Sequence, residues 1–185
     1  SLLQNGDIEV SAWTKIIRKD FLIKNNLYFK RGIKSEDIEW TLRLLRVLHG
    51  VKIINEPLYY YLKNRSDSIT STISKKNLTD MISIIKESLA FYQSNDNQVK
   101  DLEFCYLSYL WFCVLALNNY IDKKDRKEIN KQLKATNTVC KYANSRKTKL
   151  AYFVYRLFGY RIASLILKIY LRARKKTLNK REYHG

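Results

Sequence analysis

The stretch FCYLSYLWFCVLALNNYI, residues 104–121, runs through four helical turns with almost no polar side chain. An apolar helix without a wet face has two resting places, the centre of a helical core or a bilayer. Its length approaches the ~20 residues a membrane span needs. Ser108, the closing Asn-Asn-Tyr and charged residues close on both sides favour a buried central helix.

The rest of the chain changes texture near residue 75. Before it, short β-like runs surround a single helix. Lys15 to Arg18 and Leu27 to Phe29 read as short strands about a helical turn at DFLIKNN, with Asp20 as its cap. From Ser35 onward, Ile38, Leu42, Leu45 and Leu48 keep a 3.6-residue period, with Glu39, Arg43 and Arg46 on another face and Gly50 as a stop. VKIINEP then predicts a strand ending at Pro57, and LYYYL a second extended run rich in β-forming aromatics. Beyond residue 75 the period is helical, with helices expected over 78–93, 104–121 and 147–176.

The 46% apolar content is that of a folding chain. Cys105, Cys113 and Cys140 have neither CxxC nor paired spacing, which argues against a disulfide scaffold and a zinc site; burial of the two in the apolar run fits a reducing, cytoplasmic setting. The net charge of +18 is uneven: thirteen Lys and Arg face the single acid Glu182 between Lys141 and Gly185, so +12 lies in the last 45 residues. Such a segment implies an anionic partner. In the helical pattern Arg161, Ser164, Lys168, Arg172 and Lys175 share one side, while Phe158, Ile162, Leu165, Ile166 and Ile169 share the other. An amphipathic helix of this kind suits an anionic membrane interface, or packs its apolar side on the helix at 104–121 and leaves its cations solvated. Nucleic acid is disfavoured, because the aromatics lie among apolar residues rather than between the cations.

The front of the chain carries an ordered series of short motifs. Trp13 and Lys15 form a Trp-x-Lys, Arg18 to Leu22 read RKDFL, and Asn25 to Phe29 read NNLYF. Gly32, Glu36 and Asp37 give Gly-x-x-x-Glu-Asp, Tyr59 and Tyr61 a Tyr-x-Tyr, and Arg65, Ser68 and Ile69 an Arg-x-x-Ser-Ile. In order and spacing, residues 11–70 resemble the C-terminal half of the catalytic domain of family 2 glycosyltransferases, in the branch that builds bacterial capsule, O-antigen and other cell-surface polysaccharides.

The resemblance implies an α+β chain, mainly α: the C-terminal half of a GT-A α/β catalytic domain at 1–75, then a helical basic extension at 76–185. It implies inverting transfer from a nucleotide-sugar donor to a growing polysaccharide or lipid-linked acceptor, at the inner face of a cell membrane. Asp37 is the implied general base and Glu36 its neighbour, with Trp13, Lys15 and Arg65 as substrate-binding candidates. A divalent Mn or Mg cofactor is also implied. Its ligands are expected mainly in a donor-binding half that would precede Ser1, since no Asp-x-Asp occurs here.

The chemistry of Asp37 can be stated without the resemblance. Inverting transfer needs a carboxylate to take the acceptor hydroxyl's proton as its oxygen attacks the anomeric carbon. A helix N-terminus holds such a group rigidly and favours its anion. A well-capped first turn would equally explain Ser35, Glu36, Asp37 and Glu39. The competing class is a non-enzymatic basic module that grips nucleic acid or an anionic membrane through its C-terminal helices.

Overall fold

A computed structural model describes residues 10–54, 56–60, 73–95 and 98–182. Its helices are α1 (Lys19–Lys24), α2 (Glu36–Val47), α3 (Lys75–Ser94), α4 (Lys100–Leu117), α5 (Lys123–Ala135) and α6 (Arg146–Glu182). Short 3₁₀ turns occupy Ala12–Thr14, Asn118–Tyr120 and Asn137–Tyr142.

No strand forms among the described residues, which overturns the expected α+β class and the GT-A α/β sandwich. The reason is that a strand needs a neighbour to receive its backbone hydrogen bonds. Around 27–29 those groups are satisfied otherwise. The Leu27 N–H donates to the Leu22 carbonyl at 2.9 Å. The Leu27 carbonyl accepts from Trp40 Nε1 at 3.0 Å, and the Tyr28 carbonyl from the Arg43 guanidinium at 2.6 Å. Val51, Ile53 and Ile54 have strand composition, yet each is about half exposed or more and no strand lies beside them in the described chain. Lys15 to Arg18 follows the first 3₁₀ turn as irregular backbone.

The helices follow from local chemistry joined to burial. Ser74 opens α3 with a capping box: its Oγ accepts from the Asn77 N–H and the Asn77 side chain accepts from the Ser74 N–H at 3.1 Å. α2 starts from Ser35 in the left-handed region (φ 67), carries Glu36, Asp37 and Glu39 in its first turn and Arg46 in its last, and so matches the helix dipole at both ends. Asp20 lies in the first turn of α1 rather than capping it; the N-cap is Arg18.

The apolar run at 104–121 is the centre of the bundle. Leu107, Val114 and Leu115 are fully buried and Trp111 is 1% exposed, because α3, α6 and the turn at Asn137–Tyr142 surround α4. Trp111 Nε1 donates to the Leu133 carbonyl at the end of α5, so even its polar atom is satisfied. The core continues across residue 75: Ile38, Leu42 and Leu45 of α2 join Leu78, Ile82 and Ile85 of α3. Cys140 is the buried cysteine, whereas Cys105 and Cys113 are only partly covered. Burial pushes all three thiols above their ordinary range.

α6 is two helical segments joined at Gly159, whose φ of 70 and ψ of −178 are non-helical. That backbone region is open in practice to glycine alone.

Candidate functional site around the start of α2

The loop that delivers Asp37 is held by α3. Lys30 Nζ reaches Glu87 at 2.6 Å, the Lys34 N–H donates to Asp80 Oδ2 at 2.8 Å, and Lys34 Nζ reaches Asn77 Oδ1 at 3.4 Å. The first of these is exposed and contributes at most about 1 kcal/mol. The second, to a largely buried carboxylate, is of the charge-assisted kind that contributes about 1.5–3 kcal/mol.

The far end of α2 is held more firmly. Arg46 Nε donates to Glu103 Oε2 at 3.0 Å, and Glu103 is fully buried in α4. The same guanidinium donates to Ser88 Oγ at 2.9 Å and lies 4.1 Å over the Phe91 ring. Tyr92 Oη donates to Glu103 Oε2 at 2.8 Å, and burial together with that bond raises the phenol's pKa. On its outer side α2 is tied to the 25–29 segment: Arg43 Nε pairs with Glu39 Oε1 at 2.7 Å while its terminal nitrogens take the Asn26 and Tyr28 carbonyls.

Asp37 is half-buried in the first turn and Glu36 beside it is exposed. The Ile38 N–H donates to Asp37 Oδ1 at 3.0 Å. The carboxyl's pKa nevertheless lies above its ordinary value. Loss of water around it is the largest cause and the Glu36 charge the second; these outweigh the backbone N–H groups and the Lys15 cation, which pull the other way. The helix start therefore does not decide the balance as the sequence suggested. Desolvation wins, and the carboxylate is a stronger proton acceptor than an exposed aspartate.

Lys15 connects Asp37 to a cleft of about 1420 Å³ between the 3₁₀ turn, α1, the end of α2 and residues 50–54 and 56–59. Its ammonium donates to the Ser11 carbonyl at 3.0 Å and to Thr14 Oγ1 at 3.2 Å. Trp13, 44% exposed, stacks on Tyr59 with ring centroids 5.0 Å apart and planes inclined by 23°. The pair presents an accessible aromatic face at the cleft, whose lining includes Lys15, Arg18, Lys24 and Lys52 against Asp20 and Glu56. That excess of positive charge suits an anionic ligand. Asp37 itself is not among the residues that line the cleft.

Of the sequence candidates, Asp37, Glu36 and Lys15 thus form one electrostatic group, and Trp13 shares the cleft with Lys15. Arg65, like Tyr61, Ser68 and Ile69, lies outside the described residues. The Trp13–Tyr59 stack was not foreseen, since Tyr59 reads as a sheet residue; the Tyr-x-Tyr motif was its one trace. Among the described residues no three His, Cys, Asp or Glu side chains converge, so the divalent cation implied by the resemblance finds no ligand set among them.

A comparison with known proteins finds a distant likeness. The chain is 31% identical over 87 residues to a protein of Escherichia coli K12 named uncharacterized glycosyltransferase YibD. The similarity covers 46% of this chain and 25% of that protein, so the chain spans a quarter of its relative's length. It is a distant likeness to a glycosyltransferase. No protein-family model matches the chain, and no solved structure matches it.

Proposed function

We propose that the chain is the acceptor-side part of a glycosyltransferase that moves a sugar from a nucleotide-sugar donor to a saccharide or lipid-linked acceptor with inversion. Asp37 is its general base. One observation carries this reading: a half-buried carboxyl with raised proton affinity stands on a helix anchored at both ends, next to a cationic, aromatic-edged cleft.

The roles follow from the chemistry. Asp37 accepts the acceptor hydroxyl's proton as oxygen bonds to the anomeric carbon and the nucleoside diphosphate leaves. Glu36 and desolvation keep the base strong, and Lys15 keeps a share of it ionised. The Trp13–Tyr59 face receives the apolar side of a sugar ring, and Lys15 with Arg18 meets negative charge on the ligand. The distant likeness to a named glycosyltransferase supports the reaction class. The ordered motifs of residues 11–70 support the family 2 assignment.

The test is nucleoside diphosphate release from a panel of nucleotide sugars by the native-length protein. Asp37→Asn is expected to lower turnover by about 10²–10⁴-fold while the chain stays folded with undiminished stability, and Trp13→Ala to raise KM more than it lowers kcat. Undiminished turnover in Asp37→Asn would remove the proposal.

A further inference from the structure

Ala163 is 1% exposed and the Ser164 hydroxyl donates to the Leu115 carbonyl of α4 while Asn119 Nδ2 donates to Ser164, so these residues fix which side of α6 faces the bundle. At about 100° per residue, Ile162, Leu165 and Ile169 project to the opposite side, and they are 45%, 55% and 58% exposed. Arg161, Lys168 and Arg172 fall in the sector between. Before Gly159, Thr148 is the buried position and Leu150, Phe153 and Leu157 form the outer stripe, each more than half exposed. Both segments therefore carry an apolar outer stripe directed away from the core. An apolar face of this extent on a folded chain marks an interaction site.

Charge selects the occupant. From Arg146 to Arg181 the sequence has twelve Lys and Arg and no acid. A second copy would bring the same charge against itself. Nucleic acid would engage the cations and leave the apolar stripe in water. A lipid surface with anionic headgroups satisfies both sectors at once.

Geometry then selects between lying on the surface and crossing it. Arg146–Tyr170 is long and apolar enough to cross a membrane, and only 6% of that window is buried. Crossing would place Arg156 and Arg161 near the middle of the hydrocarbon, where cations are costly. It would also put the non-helical backbone at Gly159 into lipid, where unpaired peptide groups find no water. At the interface the same cations reach headgroups, and the break stays hydrated. We propose that α6 docks in the plane of an anionic membrane, its outer stripe among the acyl chains and its cations at headgroup level, with the bundle on the water side. This holds whatever reaction the chain takes part in, so vesicle binding and turnover can fail separately.

Co-sedimentation of the whole chain with vesicles tests it. At physiological ionic strength, phosphatidylcholine vesicles containing phosphatidylglycerol should retain more than tenfold more protein than pure phosphatidylcholine, and alkaline carbonate should release it. Leu165→Ser with Ile169→Ser should abolish binding while circular dichroism stays unchanged. Arg161→Gln and Lys168→Gln should each weaken it by about fivefold, the equivalent of about 1 kcal/mol per charge near the surface. Equal retention on both vesicles, none on either, or unchanged binding in the double serine variant would overturn the proposal. Resistance to carbonate would replace it with a span. A dimer in sedimentation equilibrium that the double variant dissolves would assign the stripe to a second copy, and duplex DNA that displaces the vesicles would assign the cations to nucleic acid.

Discussion

α4 and α6 are the two strongly apolar helices of this protein, and they meet opposite fates. α4 is enclosed on most sides, with Leu107, Val114 and Leu115 removed from water and an edge at Cys105, Tyr109 and Cys113 left partly open. α6 buries only one narrow side and leaves Leu150, Phe153 and Leu157 outside. Apolar content alone does not separate them. The distribution of charge does: α4 keeps Asp101 and Glu103 to its first turn, whereas α6 has cations at Arg156, Arg161 and Lys168 along its length. A helix that carries charge at regular intervals cannot be surrounded by core, and its apolar residues are left to face something else.

The largest expected effects lie on the α4 side. Trp111→Ala should cost about 3–5 kcal/mol, since it empties a filled site and removes the indole's hydrogen bond to the Leu133 carbonyl, which keeps Thr136 as its donor. Glu103→Ala should cost a similar amount, about 3–5 kcal/mol, because it strands the Arg46 charge in a largely buried site. Urea midpoints measure both, and losses below about 1 kcal/mol would mean that α4 is not the centre. At the junction in α6, Gly159→Ala should cost about 1–3 kcal/mol, the strain of a side chain at φ 70. Straightening of the helix at no cost, seen by circular dichroism and an unchanged midpoint, would instead erase the distinction between its two segments. The smallest effect falls on the outer stripe: Phe153→Ser should change stability by no more than about 0.5 kcal/mol in solution. A loss comparable to Trp111→Ala would show that the two helices share one kind of environment.

A pH experiment sharpens the picture for α2. The folded Asp37 carboxyl binds its proton more tightly than the unfolded one, so stability should fall as pH rises from the usual carboxylate value through the raised one. Asp37→Asn should flatten that slope and leave stability below the window unchanged. Urea titrations at several pH values give the answer, and a slope that survives the substitution would locate the burden elsewhere.

The helices were legible where period and burial agree. Ile38, Leu42 and Leu45 were read as a core face and are buried, and the apolar run at 104–121 was read as a central helix and is one. The strands were misread because β propensity states which residues suit a ladder and not whether a second strand is present; Val51, Ile53 and Ile54 have none beside them in the described chain. The break at Gly159 left no pattern, since a lone glycine in a helical period is ordinary. α5 and its contacts to α3 through Lys75, Asp125 and Glu128 were not singled out, as its surface is almost wholly charged. At the candidate site the Glu36–Asp37 pair was visible. The raised proton affinity was not, because its largest cause is burial in the folded chain, to which the adjacent Glu36 only adds.

The pairing of Arg46 with Glu103 sets how precisely the other end of α2 can be aimed. Nine residues separate Arg46 from Asp37, about 14 Å of rigid rod. In the proposed reaction an acceptor at the carboxylate would meet the tip of a lever whose pivot is tied into the buried layer of Glu103. Errors in aim are thus governed by thermal play in that layer, and loosening a side chain far from any sugar should register first as a loss of catalytic accuracy.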